Sequence, residues 1–210
     1  MQRVFVFAVS AVVLSATLFV IDAGAQPDPL AGIRIEPEAT VSYNRPTQYG
    51  GWIRMNAPYN RCFSVRDQVL ADESAKSRFR FKQPSGSGWR CVVTVGSWRD
   101  PYTGTRFTDP RELDIDHVVP LREAHVSGAY AWPKAKRVEY ANFLQDPQHL
   151  IAVTFSENRR KGDKDPPEYM PPRAAYHCTY LRIWTAIKRR WDLTMDQDEA
   201  TFVRQRMASC

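Results

Sequence analysis

Residues 113–120 run Leu113-Asp-Ile-Asp-His-Val-Val-Pro120. The alternation predicts a strand in which Leu113, Ile115 and His117 share one face and Asp114 and Asp116 the other. Pro120 ends it, because proline has no N–H to give a ladder. Further along, Leu150-Ile-Ala-Val153 is a short apolar run of the kind a buried strand shows. Thr154-Phe-Ser-Glu157 follows directly and fits a capping box, with Thr154 as N-cap and Glu157 reaching back. The helix it opens carries Asn158 and Lys161 on one side, three residues apart. Gly162 ends that helix, and Pro166-Pro167 forbids its continuation. Strand, connection, strand and capped helix define an α+β protein.

Outward from this core the signals are local. Between Leu121 and Leu144 two short helices are expected, the second with Pro133 at its first position. Residues 50–98 form an irregular α/β region: a short helix over 66–71, a half-exposed strand over 78–82, a turn over 83–88 and a second strand over 92–95. Asp100-Pro-Tyr-Thr-Gly104 is a turn by composition. Tyr180, Trp184, Ile187 and Trp191 recur at three- and four-residue steps. They predict an amphipathic helix with both tryptophans in the core and Arg182, Lys188, Arg189 and Arg190 largely elsewhere. A last helix is expected over about 196–207. Residues 26–48, with Pro27, Pro29, Pro37 and Pro46, are expected to form an extended lead-in to one domain over 49–210.

The start of the chain has a different character. Arg3 precedes an apolar run from Val4 to Ile21, and Ala23-Gly24-Ala25 is a small-x-small cleavage pattern. Residues 1–25 are therefore expected to be a secretory signal, the rival being an uncleaved anchor. Destination would be the periplasm or the extracellular medium, with no stable membrane association after cleavage. In such an oxidising compartment Cys62, Cys91, Cys178 and Cys210 default to two disulfides. Three pairings are open. Cys62–Cys91 with Cys178–Cys210 is preferred because each closes a local loop, worth roughly 3–4 kcal/mol. A zinc site lacks any Cys-x-x-Cys pair. Across the 210 residues, 43% hydrophobic and 25% charged content exclude wholesale disorder. The net charge of +6 favours a polyanionic partner such as nucleic acid or anionic lipid.

The predicted core brings together groups suited to phosphodiester hydrolysis. A water must lose a proton near neutral pH, and His117 is the side chain matched to that task. Charge then grows on phosphoryl and leaving oxygens, where a hard dication is the natural neutraliser. Asp116 offers a carboxylate and Asn158 a carbonyl oxygen, a donor pair that suits Mg²⁺ or Mn²⁺. Arg159, Lys161 and Lys164 lie close in sequence to hold a polyanion. A lone Asp-His pair would say little; several segments in a fixed order say more.

Asp114-Ile-Asp-His-Val-Val-Pro120, His149-Leu-Ile-Ala-Val153 and Ser156-Glu-Asn-Arg-Arg-Lys-Gly-Asp-Lys164 together resemble the HNH, or ββα-metal (His-Me finger), nucleases. The resemblance is strongest to the subgroup that includes the C-terminal domain of the restriction enzyme GmrSD and many small secreted bacterial proteins. Trp98-Arg-Asp-Pro-Tyr-Thr-Gly104 and Pro166-Pro-Glu-Tyr-Met-Pro-Pro172 also look like that subgroup, so the similarity runs from about Tyr59 to Trp191. It implies a ββα-metal core with surrounding helices and short strands, and an endonuclease acting on nucleic acid, DNA foremost. It implies His117 as general base and Asp116 and Asn158 as the ligands of one catalytic metal. His149 falls where many relatives carry the middle asparagine that braces the loop holding the base. Arg66 is a site-lining residue by resemblance alone.

Each reading has a bland rival. His117 could be a satisfied strand-end histidine, Asp114 could be solvated, and the charge run over 159–164 could be a solvated face. His125 and His177 match no role and are read as surface or structural residues. The competing function is a secreted, non-catalytic binder of DNA or another polyanion on the same scaffold.

Overall fold

The computed structural model describes residues 28–55, 62–75, 80–82 and 91–210. The leader over 1–25 and the turn over 83–88 lie outside them. In chain order the elements are α1 (Arg45–Gln48), α2 (Val65–Glu73), β1 (Arg80–Lys82), β2 (Val92–Val95), β3 (Trp98–Arg99), β4 (Arg106–Phe107), β5 (Leu113–His117), α3 (Leu121–Val126), α4 (Lys134–Ala141), β6 (Leu150–Thr154), α5 (Phe155–Lys161), α6 (His177–Arg190) and α7 (Gln197–Met207). Three antiparallel pairs form: β1 with β2, β3 with β4, and β5 with β6.

The β5–β6 pair is the centre. Its register sets Leu113 opposite Thr154, Asp114 opposite Val153, Asp116 opposite Ile151 and His117 opposite Leu150. Alternation then sorts the side chains between two cores. Leu113, Ile115, Leu150 and Ala152 pack with Val65, Val69 and Leu70 of α2 and with Trp98. Ile151 and Val153 face the larger core, built on Tyr102, Val118, Tyr140, Tyr180, Trp184 and Trp191. Helix α5 lies against β5 and β6. Both faces of the pair are thus covered, which explains why Asp116 is as buried as its apolar neighbours.

The turn from β6 into α5 differs from the expected box by half. Thr154 is the N-cap and its hydroxyl accepts from Glu157 N at 3.4 Å. Its own N–H goes to Asp100 Oδ2 at 3.2 Å, so Glu157 does not reach back. The Glu157 carboxylate instead takes Arg160 and the Tyr169 hydroxyl. Gly162 ends the helix at φ 59°, a conformation that favours glycine.

Two further differences come from tertiary pairing. Lys188 was expected away from the apolar face of α6, yet it is fully buried. Its ammonium meets Glu123 Oε1 at 2.5 Å, Glu199 Oε2 at 2.8 Å, Thr194 O at 2.8 Å and Ser127 Oγ at 3.1 Å. The segment before α1 also packs down: Leu30 is buried, Ile35 bridges in parallel to Met195, and Ala39 N donates to Val126 O. Cys62 pairs with Cys91 and Cys178 with Cys210, and no free cysteine occurs among the described residues. No helix among the described residues is long and apolar enough to cross a membrane.

Candidate active site

His117 ends β5 and is buried. Its Nε2 lies 2.9 Å from Ala141 O. A carbonyl only accepts, so Nε2 carries the hydrogen and Nδ1 of the neutral ring presents a lone pair. Ala141 is the last residue of α4, where helix carbonyls have no partner within the helix. His149 satisfies the carbonyl one residue earlier: its Nε2 is 2.8 Å from Tyr140 O. Two imidazoles therefore anchor to consecutive carbonyls, with ring centroids 6.4 Å apart. Trp52 stacks on His117, centroids 5.3 Å apart and planes 4° from parallel. Burial holds His117 well below the usual histidine range and His149 down to about 4. His117 is thus the neutral, proton-accepting form at neutral pH.

Asp114 and Asp116 project toward α5 and meet the two residues the helix turns toward them. Asn158 Nδ2 donates to Asp114 Oδ2 at 3.3 Å. Lys161 Nζ donates to Asp116 Oδ1 at 2.7 Å and to His117 O at 2.8 Å. Two strand residues span about 6.7 Å and three helical residues about 4.5 Å; the longer lysine covers the difference. The Tyr102 hydroxyl donates to Asp116 Oδ2 at 2.6 Å. Burial raises the Asp116 carboxyl and lowers the Lys161 ammonium, and the contact between them opposes both shifts.

A cleft of about 330 Å³ opens on this group, lined by Tyr43, Arg45, Asp116, His117, Arg122 and Asn158 among others. Three of the residues singled out from sequence thus share one cavity: His117, Asp116 and Asn158. His149 sits behind them. Lys161 does not meet the expectation that it holds a polymer phosphate: it is fully buried beneath Asp116. Arg159 is exposed with its guanidinium 5.2 Å from the Phe155 ring, and Lys164 is exposed with Nζ on Arg160 O; neither lines the cleft. Arg66 is not brought to the group either. It donates to Leu113 O at 3.0 Å and Pro110 O at 3.3 Å, fixing the start of β5. His125 bonds Tyr49 and Ser42, and His177 bonds Pro171 O, both as structural residues.

Sequence reasoning passed over Tyr102, Trp52 and Arg45. Tyr102 stood inside the quoted 98–104 segment, and Asn44-Arg-Pro46 carries a helix-start signal, an N-cap before a first-turn proline. Nothing local marks Trp52.

Asp116 accepts one hydrogen bond on each oxygen and keeps lone pairs on both. Asn158 Oδ1 meets no protein donor among the described residues. Both offer oxygen donors on the cleft that holds His117, a chemistry that would suit Mg²⁺, which takes few protein ligands and keeps several waters. Among the described residues no cluster of three or more His, Cys, Asp or Glu is placed to hold a metal, so water and substrate would complete such a shell.

With strand pair, helix and cleft in place, comparison with known proteins gives the class. Residues 43–203 match the family of GmrSD restriction endonucleases, C-terminal domain. The chain belongs to that family. It is also 35% identical over 181 residues to an uncharacterized secreted protein of Arthroderma benhamiae, covering 86% of this chain and 82% of the relative. No solved structure matches it.

Proposed function

We propose that this protein is a secreted, metal-dependent endonuclease that hydrolyses nucleic-acid phosphodiesters, DNA foremost, with little sequence preference. The observation that carries the reading is His117: a neutral imidazole whose Nε2–H is fixed by Ala141, leaving Nδ1 as the proton acceptor in a cleft shared with Asp116 and Asn158. Nδ1 takes the proton of the attacking water as its oxygen adds to phosphorus; the P–O bond to the 3′ oxygen breaks, and that leaving oxygen takes a proton from solvent. Asp116 and Asn158 would hold Mg²⁺ (or Mn²⁺), which supplies charge neutralisation at the phosphoryl and leaving oxygens. His149 keeps the Tyr140–Ala141 carbonyls in place, and so the ring of His117. Groups that address phosphate carry no base information, hence the weak sequence preference. Two disulfides and the secreted name of the Arthroderma relative support export.

A second reading rests on Lys161. Its ammonium already neutralises Asp116, as suits a scaffold that binds DNA or another polyanion without cutting. A plasmid-nicking assay on purified protein, with Mg²⁺ and with EDTA, on DNA and on RNA, separates the two. Cleavage that EDTA abolishes supports the enzyme. Binding that survives EDTA with no cleavage in Mg²⁺ selects the binder.

A further inference from the structure

The charges of the cleft do not balance. Asp116 is paired with Lys161, and Arg122 with Asp163 at 2.6 Å. Arg45 lines the same cavity, is exposed, and its guanidinium has no ion pair or hydrogen bond to a protein group among the described residues. It rests on the face of Trp52, 5.6 Å from the ring centroid, and Trp52 in turn stacks on His117. The indole thus contacts both the guanidinium and the imidazole.

Arg45 is also held ready. Asn44 Oδ1 accepts from Thr47 N at 3.1 Å and from Thr47 Oγ1 at 2.8 Å, while Asn44 N donates to Gln48 Oε1 at 2.7 Å. Pro46 fixes the backbone one residue on. A turn tied by reciprocal bonds loses little freedom when its side chain takes a ligand. An exposed guanidinium stacked on an aromatic face keeps its N–H fork free for a planar, bidentate anion.

We infer that Arg45, presented on Trp52 by the Asn44–Gln48 turn, is the backbone-phosphate clamp of the cleft, holding a phosphodiester group beside His117. The inference rests on the nuclease reading and supplies what it lacked: a cation at the cleft not already paired, as Arg122 is, in place of Lys161, Arg159 and Lys164. The clamp comes from outside the strand–helix unit, from the segment before the domain boundary expected at residue 49.

The test is fluorescence anisotropy of a labelled DNA duplex with the full protein in EDTA, across a NaCl series, followed by cleavage kinetics in Mg²⁺. Arg45→Gln is compared with wild type, with Arg45→Lys, and with Arg206→Gln, whose guanidinium stacks on Phe202 instead. Arg45→Gln is expected to weaken binding about tenfold and to lower the slope of log affinity against log salt by about one. Arg45→Lys should restore the salt slope and only part of the affinity, and Arg206→Gln should match wild type. Cleavage by wild type together with unchanged binding by Arg45→Gln overturns the clamp and leaves the nuclease reading standing. Equal losses in Arg45→Gln and Arg206→Gln also overturn it, since net charge alone would explain both. A wild-type protein that neither binds nor cuts nucleic acid sinks both.

Discussion

The ammonium of Lys161 lies 2.7 Å from Asp116 Oδ1; the lysine side chain is fully buried and that of Asp116 keeps only 4% exposure, at the cleft. The same ammonium donates to His117 O at 2.8 Å, so one cation ties two consecutive strand residues to α5. Truncating it strands a carboxylate in the interior. Lys161→Met is expected to destabilise by about 3–5 kcal/mol in urea unfolding. Asp116→Asn combined with Lys161→Met should cost less than the sum of the single changes. Full stability in Lys161→Met would show that the pair does not hold α5 on β5.

Under the proposed function, His149 acts on the chemistry through Tyr140 and Ala141, not through the substrate. His149→Phe keeps the ring packing and loses the donor at 2.8 Å from Tyr140 O. Its expected signature is a kcat lowered about 10-fold or more with KM little changed. His149→Asn can restore a donor and should recover part of the rate. Wild-type kcat in the phenylalanine variant would remove His149 from the site.

Acid should remove the contribution of two buried imidazoles to stability before it protonates the base. His149 is held at about 4 and His117 well below its usual range, both by burial. Below about pH 6.5 the unfolded chain takes up protons on these imidazoles and the native state does not, so their contribution to stability falls as pH falls. For His149 the loss accumulates between about 6.5 and about 4 and reaches on the order of 3 kcal/mol. Buried carboxyls raised to about 7 at Glu38 and about 8 at Glu73 and Glu199 act in the opposite direction, so thermal melts from pH 7.5 to 4.5 are compared with those of His149→Phe: the Tm of wild type must fall relative to that of the variant. At temperatures where the fold survives, cleavage should persist below pH 6.5, because neutral His117 persists.

His117→Ala removes the proton acceptor and leaves the anion-binding groups. Cleavage should fall about 10²–10⁴-fold with duplex affinity nearly unchanged. A variant that cuts as fast as wild type refutes the assignment of the base.

Asn158→Ala should raise the Mg²⁺ concentration needed for half-maximal cleavage, and excess Mg²⁺ should restore part of the rate. The titration is decisive, since a role confined to the 3.3 Å bond with Asp114 would lower the rate at every Mg²⁺ concentration alike.

What could be foreseen was what repeats locally. The alternation of Leu113 to His117, the apolar run ending at Val153 and the Thr154 cap each carry their own signal, and the observed strands and helix follow them. What stayed hidden depends on partners remote in sequence. Lys161 looked like a solvent-facing cation because its helix is short and polar. Its burial is decided by Asp116, 45 positions away. Lys188 is buried for the same reason, by Glu123 65 positions away. Arg45 and Trp52 meet His117 only after the chain has folded, and no periodicity in their own segment announces it.

Strand β6 passes into α5 with no residue between them: Thr154 closes one and Phe155 opens the other. Each residue added there would turn the helix by about 100°, swinging Asn158 and Lys161 off their two aspartates together. The length of this junction is fixed by that geometry. It serves as a ruler, and among descendants of this chain an insertion at that point would mark a lineage that had given up the proposed chemistry.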